Sequence, residues 1–115
     1  MAYPNGPNDD RVAALLRDHT GVKYSRTTTC TAGFEPQHNL YRFNPTVQHL
    51  RFDDMMELGE QFLALDAKIP QIFYVWGHTF EMDYASENWA RLEEFFKLIS
   101  GHDDIFYGTN TEVLL

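Results

Sequence analysis

The hydrophobic pattern centres on Gln71–Asp83, where Ile72-Phe73-Tyr74-Val75-Trp76 is an unbroken apolar run, mostly β-branched or aromatic. Such a run predicts a strand buried on both faces. Gly77 breaks it, and His78, Thr79, Glu81 and Asp83 follow within six residues. Upstream, Val12, Leu15, Leu16 and His19 recur at helical spacing behind Asn8 or Asp9 as N-cap, with Gly21 as the stop. Val22–Arg26 reads as a short strand. Residues 27–52 read as an irregular loop whose aromatics Phe34, Tyr41, Phe43 and Phe52 predict packing across a barrel mouth, lining a cleft. Asp53 and Asp54 are expected to cap a second helix with Met55, Met56, Leu58, Phe62, Leu63 and Leu65 inward. Ser86 or Asn88 caps a third with Trp89, Leu92, Phe95, Phe96 and Ile99 inward, Glu93 and Lys97 pairing outside, and Gly101 as its stop. Ile105–Tyr107 reads as a last strand, and Thr109–Glu112 as the cap of a terminal helix.

Strands alternating with helices predict an α/β fold with a parallel sheet and right-handed crossovers. Three strands do not close a barrel, so the predicted sheet is open, with edges that need covering.

At 115 residues the sequence fits a single domain, and 43% hydrophobic residues provide for a core. A net charge of −8 without any Lys/Arg cluster argues against nucleic acid and anionic membrane surfaces as partners. No apolar run approaches the roughly 18 residues of a membrane span. Cys30 is the only cysteine, so no internal disulfide forms, and among threonines it reads as a small turn residue. The start, Ala2-Tyr3-Pro4-Asn5-Gly6, is a turn and not a signal peptide, so the expected location is cytoplasmic.

His78 stands at the carboxyl end of the predicted strand, where α/β folds place ligands and catalytic groups. It is either an acid/base residue or a structural histidine whose ring satisfies loop carbonyls. Phe52-Asp53-Asp54 lies ahead of a helix and is explained by capping.

Five segments in order carry a resemblance: Ala2–Gly6, Tyr24-Ser25-Arg26-Thr27-Thr28, Asn44-Pro45-Thr46, Trp76-Gly77-His78-Thr79-Phe80-Glu81 and Tyr107-Gly108-Thr109-Asn110. Together they resemble the C-terminal part of the polysaccharide deacetylases, the NodB-type carbohydrate esterases of family 4. The resemblance implies a partial distorted (β/α) barrel, roughly the C-terminal half, and removal of acetyl from N-acetylated sugars of a glycan. It also implies zinc or another divalent metal on one aspartate and two histidines, and a second aspartate as base. The family's Thr-Phe-Asp-Asp-Gly and His-x-x-x-His stretches precede the proline turn and are not in this sequence. No metal ligand is therefore assigned in this chain, which by itself is expected to be a poor catalyst or none.

Carried over by position, Asn5 supplies an oxyanion N–H and His78 protonates the leaving amine. Ala2 stands where the family has arginine, and Thr79 where an aspartate usually follows the histidine, so Glu81 or Asp83 is left to orient the ring. Read from their own positions, His49 and Arg26 either contact sugar hydroxyls or an acid group or serve packing and turn-bracing, and Tyr41, Trp76 and Phe80 are candidates to stack on a sugar ring, with core packing the other role for Trp76. The expected partners are a glycan and either a second copy or a missing N-terminal half. Two alternatives stand beside this: a non-catalytic carbohydrate-binding or interaction module that dimerises over its open edge, and a small enzyme using His78 with Glu81 or Asp83.

Overall fold

The computed structural model describes residues 1–115 as a mixed helix and short-strand chain. The helices are α1 (Asp10–His19), α2 (Phe52–Leu63), α3 (Asn88–Ile99) and α4 (Asn110–Leu114), and the strands are β1 (Val47–Gln48) and β2 (Val75–Trp76). Two 3₁₀ segments, Leu40–Arg42 and Thr79–Tyr84, complete the set. No helix is long and apolar enough to cross a membrane.

The extended segments run parallel throughout. Ala2 bridges Arg26, Arg26 bridges Phe43, and Val47 and Gln48 pair with Val75 and Trp76. Backbone bonds such as Arg26 N–H to the Met1 carbonyl (2.9 Å), Thr27 N–H to Phe43 (2.8 Å) and Thr46 N–H to Tyr74 (2.8 Å) tie the layer together. Its order is therefore Ala2, Arg26, Phe43–Gln48, Val75–Trp76, with α1 and α2 in the connections. The parallel expectation is met, but by much shorter pieces than the hydrophobic runs suggest. The run Ile72–Trp76 forms a strand only at Val75–Trp76 and is half-buried, because β2 has a neighbour on one edge alone. Residues 27–52, expected as a loop, supply Phe43 and β1 to the layer. Ile105–Tyr107 joins no strand; the Tyr107 hydroxyl instead donates to the Ile99 carbonyl (2.8 Å) and accepts from His102 N–H (3.0 Å).

The core lies between β1 and the helices α2 and α3: Val47, Phe52, Met55, Leu58, Met82 and Phe95, with Phe34, Phe73 and Leu92 packed around it. The rings of Phe34, Phe62, Phe73 and Phe95 touch in sequence at centroid distances of 5.2–5.8 Å. Each such side chain fully withdrawn from water contributes about 1.5–3 kcal/mol. α2 and α3 pack on each other, and Gly59 lets Phe95 and Leu98 come close to the α2 backbone. The molecule is a slab of 41 × 38 × 20 Å with a radius of gyration of 15.1 Å. A rounder domain of this length would have about 13 Å.

Three helix expectations need correction. α1 begins as expected, with the Asp9 carboxylate accepting from Val12 N–H (2.8 Å), but only Ala13 is buried, while Val12 and Leu15 are exposed. Its end is made by Thr20, whose N–H and hydroxyl both bond the Leu16 carbonyl, one residue before Gly21. α2 starts at Phe52, so Asp53 and Asp54 lie in its first turn and pair with Arg91 and Arg51 instead of capping it. On α3, which begins without a side-chain cap, Trp89 and Phe96 face solvent at 50% and 55% exposure, leaving Phe95 as the buried ring. The reciprocal cap of Thr109 and Glu112 on α4 and the Glu93–Lys97 pair (3.0 Å) are as expected.

Candidate functional site

Glu81 is the third residue of the 3₁₀ helix Thr79–Tyr84, so its side chain folds back over the start of that helix. Oε2 accepts from the His78 backbone N–H at 2.9 Å, the reach-back half of a capping box. Oε1 lies 3.2 Å from His78 Nδ1. From the end of β1, His49 Nε2 reaches Oε2 at 2.6 Å and Gln48 Nε2 reaches it at 3.0 Å. One carboxylate thus joins two imidazoles, an amide and a backbone N–H.

The two rings are placed differently. His49 is buried, its backbone N–H held by the Trp76 carbonyl (2.9 Å), and its ring lies flat on Gly77. A Cβ at Gly77 would fall under 3.0 Å from Cδ2, Nε2 and Cε1 of that ring, so glycine is what admits it. The His78 side chain is 54% exposed. Burial pushes the Glu81 carboxyl up, but the His78 N–H and the His49 and His78 rings outweigh this, and the net direction is down. Glu81 is accordingly an anion at neutral pH. An anion beside Nδ1 makes neutral His78 an Nδ1–H donor and leaves its Nε2 lone pair toward solvent, which is the arrangement of an acid/base imidazole.

Around His78 runs a row of rings. The Arg26 guanidinium sits 4.4 Å above Trp76, Trp76 meets His78 edge-on at 6.1 Å, and His78 stacks on Phe80 at 5.3 Å. Phe80 then meets Tyr84 at 6.0 Å. Phe80 and Tyr84 are 61% and 68% exposed. Cys30 lies under the row, its sulfur 3.4 Å from Trp76 Nε1. Trp76, Arg26 and Gly77 also line a hollow of about 420 Å³ to which α4 contributes Asn110 and Val113.

Of the residues expected at a site, His78, Glu81, His49, Trp76 and Arg26 are brought into one connected group. His49 turns inward to Glu81, and not outward to a cleft. Asp83, the other candidate to orient His78, accepts instead from Trp89 Nε1 at 2.9 Å. Tyr41 stands apart on the 3₁₀ turn beside α1, its carbonyl taking the Tyr3 hydroxyl. Asn5 adopts φ +56°, a left-handed conformation that asparagine tolerates, and lines a separate polar hollow of about 920 Å³ with Thr27, Thr28 and Asn44. Gln48 is a member that residue-type reasoning passes over, its adjacency to His49 being the only signal, while Gly77, read from the sequence as the end of the strand, also seats the His49 ring.

No three His, Cys, Asp or Glu side chains converge on a common point for a metal ion. His49 Nε2 and His78 Nδ1 both address oxygens of Glu81. The residues present do not fit the divalent metal that the deacetylase resemblance implies. The chain matches no protein-family model, no curated protein and no solved structure.

Proposed function

We propose that this chain is the proton-transfer and sugar-binding part of a polysaccharide deacetylase-like hydrolase, acting on N-acetylated sugars of a glycan. The observation that carries the reading is the exposed His78 imidazole, backed at Nδ1 by the Glu81 anion and flanked by the open rings of Phe80 and Tyr84. The parallel layer with helices in its connections suits part of a distorted (β/α) barrel. Once water has added to the acetyl carbon, protonated His78 gives its Nε2 proton to the amide nitrogen as the C–N bond breaks, so acetate and a neutral amine depart. Glu81 stays ionised and balances the imidazolium charge. Phe80, Tyr84 and Trp76 offer apolar faces to sugar rings. In such enzymes the metal supplies Lewis-acid activation of water, and here its ligands would come from groups outside these 115 residues.

A second reading, a glycan-binding module without catalysis, is favoured by the same lack of converging metal ligands. One experiment separates the two: titration with N-acetylglucosamine oligomers read by tryptophan fluorescence, beside acetate release with added zinc, for wild type and His78→Ala. Binding with His78-dependent release supports the hydrolase. Binding without release supports the module as what this chain does by itself. Neither binding nor release overturns the glycan reading.

A further inference from the structure

We infer that His49, with Gln48 beside it, is a positioning residue: it holds the Glu81 carboxylate so that neutral His78 keeps its proton on Nδ1, leaving Nε2 to take up the second proton that it then gives to the leaving amine. The catalytic consequence rests on the role proposed for His78, while the positioning is read from the geometry alone.

Taken by itself, a carboxylate three residues from a half-exposed histidine is a weak partner, since ordering two solvated side chains offsets most of the attraction. Glu81 is different because one of its oxygens is fully used. Oε2 takes the His49 ring at 2.6 Å, the Gln48 amide at 3.0 Å and the His78 backbone N–H at 2.9 Å. With Oε2 saturated, the oxygen left for His78 Nδ1 is Oε1, at 3.2 Å. The His78 N–H alone would leave the carboxylate free to swing about its own side-chain torsions. The contacts from β1, more than thirty residues away in sequence, remove that freedom.

His49 is itself held on two sides. Its backbone N–H is bound to Trp76, and its ring fills the space that Gly77 leaves for it. Gln48 is aligned by its own Oε1, which accepts from Leu50 N–H at 2.7 Å. Nearby charged groups leave the pair alone: Asp83, the rival acceptor for His78, is bound to Trp89, and Arg26, a rival donor for Glu81, lies over Trp76 with an N–H on the Thr27 carbonyl. Facing an anionic acceptor, neutral His49 must be the Nε2–H tautomer and neutral His78 the Nδ1–H tautomer. The two rings around one carboxylate are therefore fixed in opposite tautomers. Buried as it is, His49 acts on a substrate only through Glu81 and His78.

The test is side-chain ¹⁵N–¹H correlation spectroscopy of the neutral rings, which reads the tautomer of each histidine without any substrate. Wild type should give His78 as Nδ1–H and His49 as Nε2–H. In His49→Ala, His78 should revert to a mixture dominated by Nε2–H, and His49→Gln, which restores an amide donor near the lost Nε2–H, should return it to Nδ1–H. If His49→Ala does not fold, His49→Asn, too short to reach Glu81, carries the same comparison. His78 remaining Nδ1–H without His49, or standing as Nε2–H in wild type, overturns the inference. With acetate release as readout, kcat in His49→Ala should fall about tenfold or more, part of the 10²–10⁴ that a positioned acid supplies, with KM unchanged and rescue by glutamine. Absence of both glycan binding and acetate release from wild type defeats the proposed function and leaves the tautomer result to decide the positioning.

Discussion

Replacing Gly77 with alanine tests the packing on which the Glu81 cluster depends. The added Cβ would lie under 3.0 Å from three atoms of the His49 ring, whereas carbon atoms in good contact sit about 3.5–4.0 Å apart. The backbone offers no objection, since Gly77 is not among the glycines with positive φ. The conflict is with the ring alone, and it resolves in one of two ways. Either the ring stays and the site is overpacked, at about 1–3 kcal/mol, or it swings away and gives up its bond to the Glu81 anion. Losing a hydrogen bond to a charged group costs about 1.5–3 kcal/mol. Because the two costs are alternatives and the cheaper one prevails, the expected loss is about 1–3 kcal/mol, leaving a domain of ordinary stability, about 5–15 kcal/mol, still folded. The informative comparison is a cycle with His49→Ala, measured by urea unfolding at neutral pH. Once the ring is gone the new methyl enters open space, and Gly77→Ala should then cost less than about 0.5 kcal/mol. An equal cost in both backgrounds, or a single mutant within about 0.5 kcal/mol of wild type, would refute the account of Gly77 as the seat of the His49 ring.

Two further outcomes are expected. Glu81 is held below the ordinary glutamate range, so its ionised form stabilises the fold at neutral pH; this contribution is lost as pH falls below the ordinary value of about 4.3 and through the lower folded-state value. The stability gap between wild type and Glu81→Gln, followed by urea unfolding at stepped pH, should narrow below about pH 4, and a gap that stays constant through the acid range would contradict the depressed carboxyl. Phe95→Ala should cost about 3–5 kcal/mol, because the ring is 3% exposed and packed on Phe73 and Gly59. Its neighbour Phe96, 55% exposed, should cost under about 1 kcal/mol, and equal losses on thermal or urea unfolding would invalidate the facing of α3.

Helix positions were legible because their signals are local: the Asp9 cap, the Thr109–Glu112 pair and the periodic apolar residues of α2 need only neighbours within a turn or two. Helix facing was less so. Periodicity puts Phe95 and Phe96 on the same broad stripe, and only the position of α2 and Gly59 decides that Phe95 is the ring withdrawn from water. Extended pieces were the least legible. Phe43 and Val47–Gln48 sit between prolines, threonines and a 3₁₀ turn, so no alternating run announces them, while the apolar Ile105–Tyr107 joins no strand. At the site, His78 and Glu81 could be paired from sequence because one helical turn spans them. The coupling of His49 to Glu81 joins residues 32 apart in sequence, and no spacing rule encodes it.

The order of the extended layer has a bearing on how the chain acquires its shape. Each segment lies beside the one that precedes it along the chain: Arg26 beside Ala2, Phe43 beside Arg26, and β2 beside β1. No segment waits for a later one to be inserted between it and its neighbour. The layer can therefore grow from the amino end as the chain emerges during synthesis, each new piece docking on an edge already in place. The His78–Glu81 turn follows the last segment directly, so the platform that orients it is already synthesised when the proposed working end emerges.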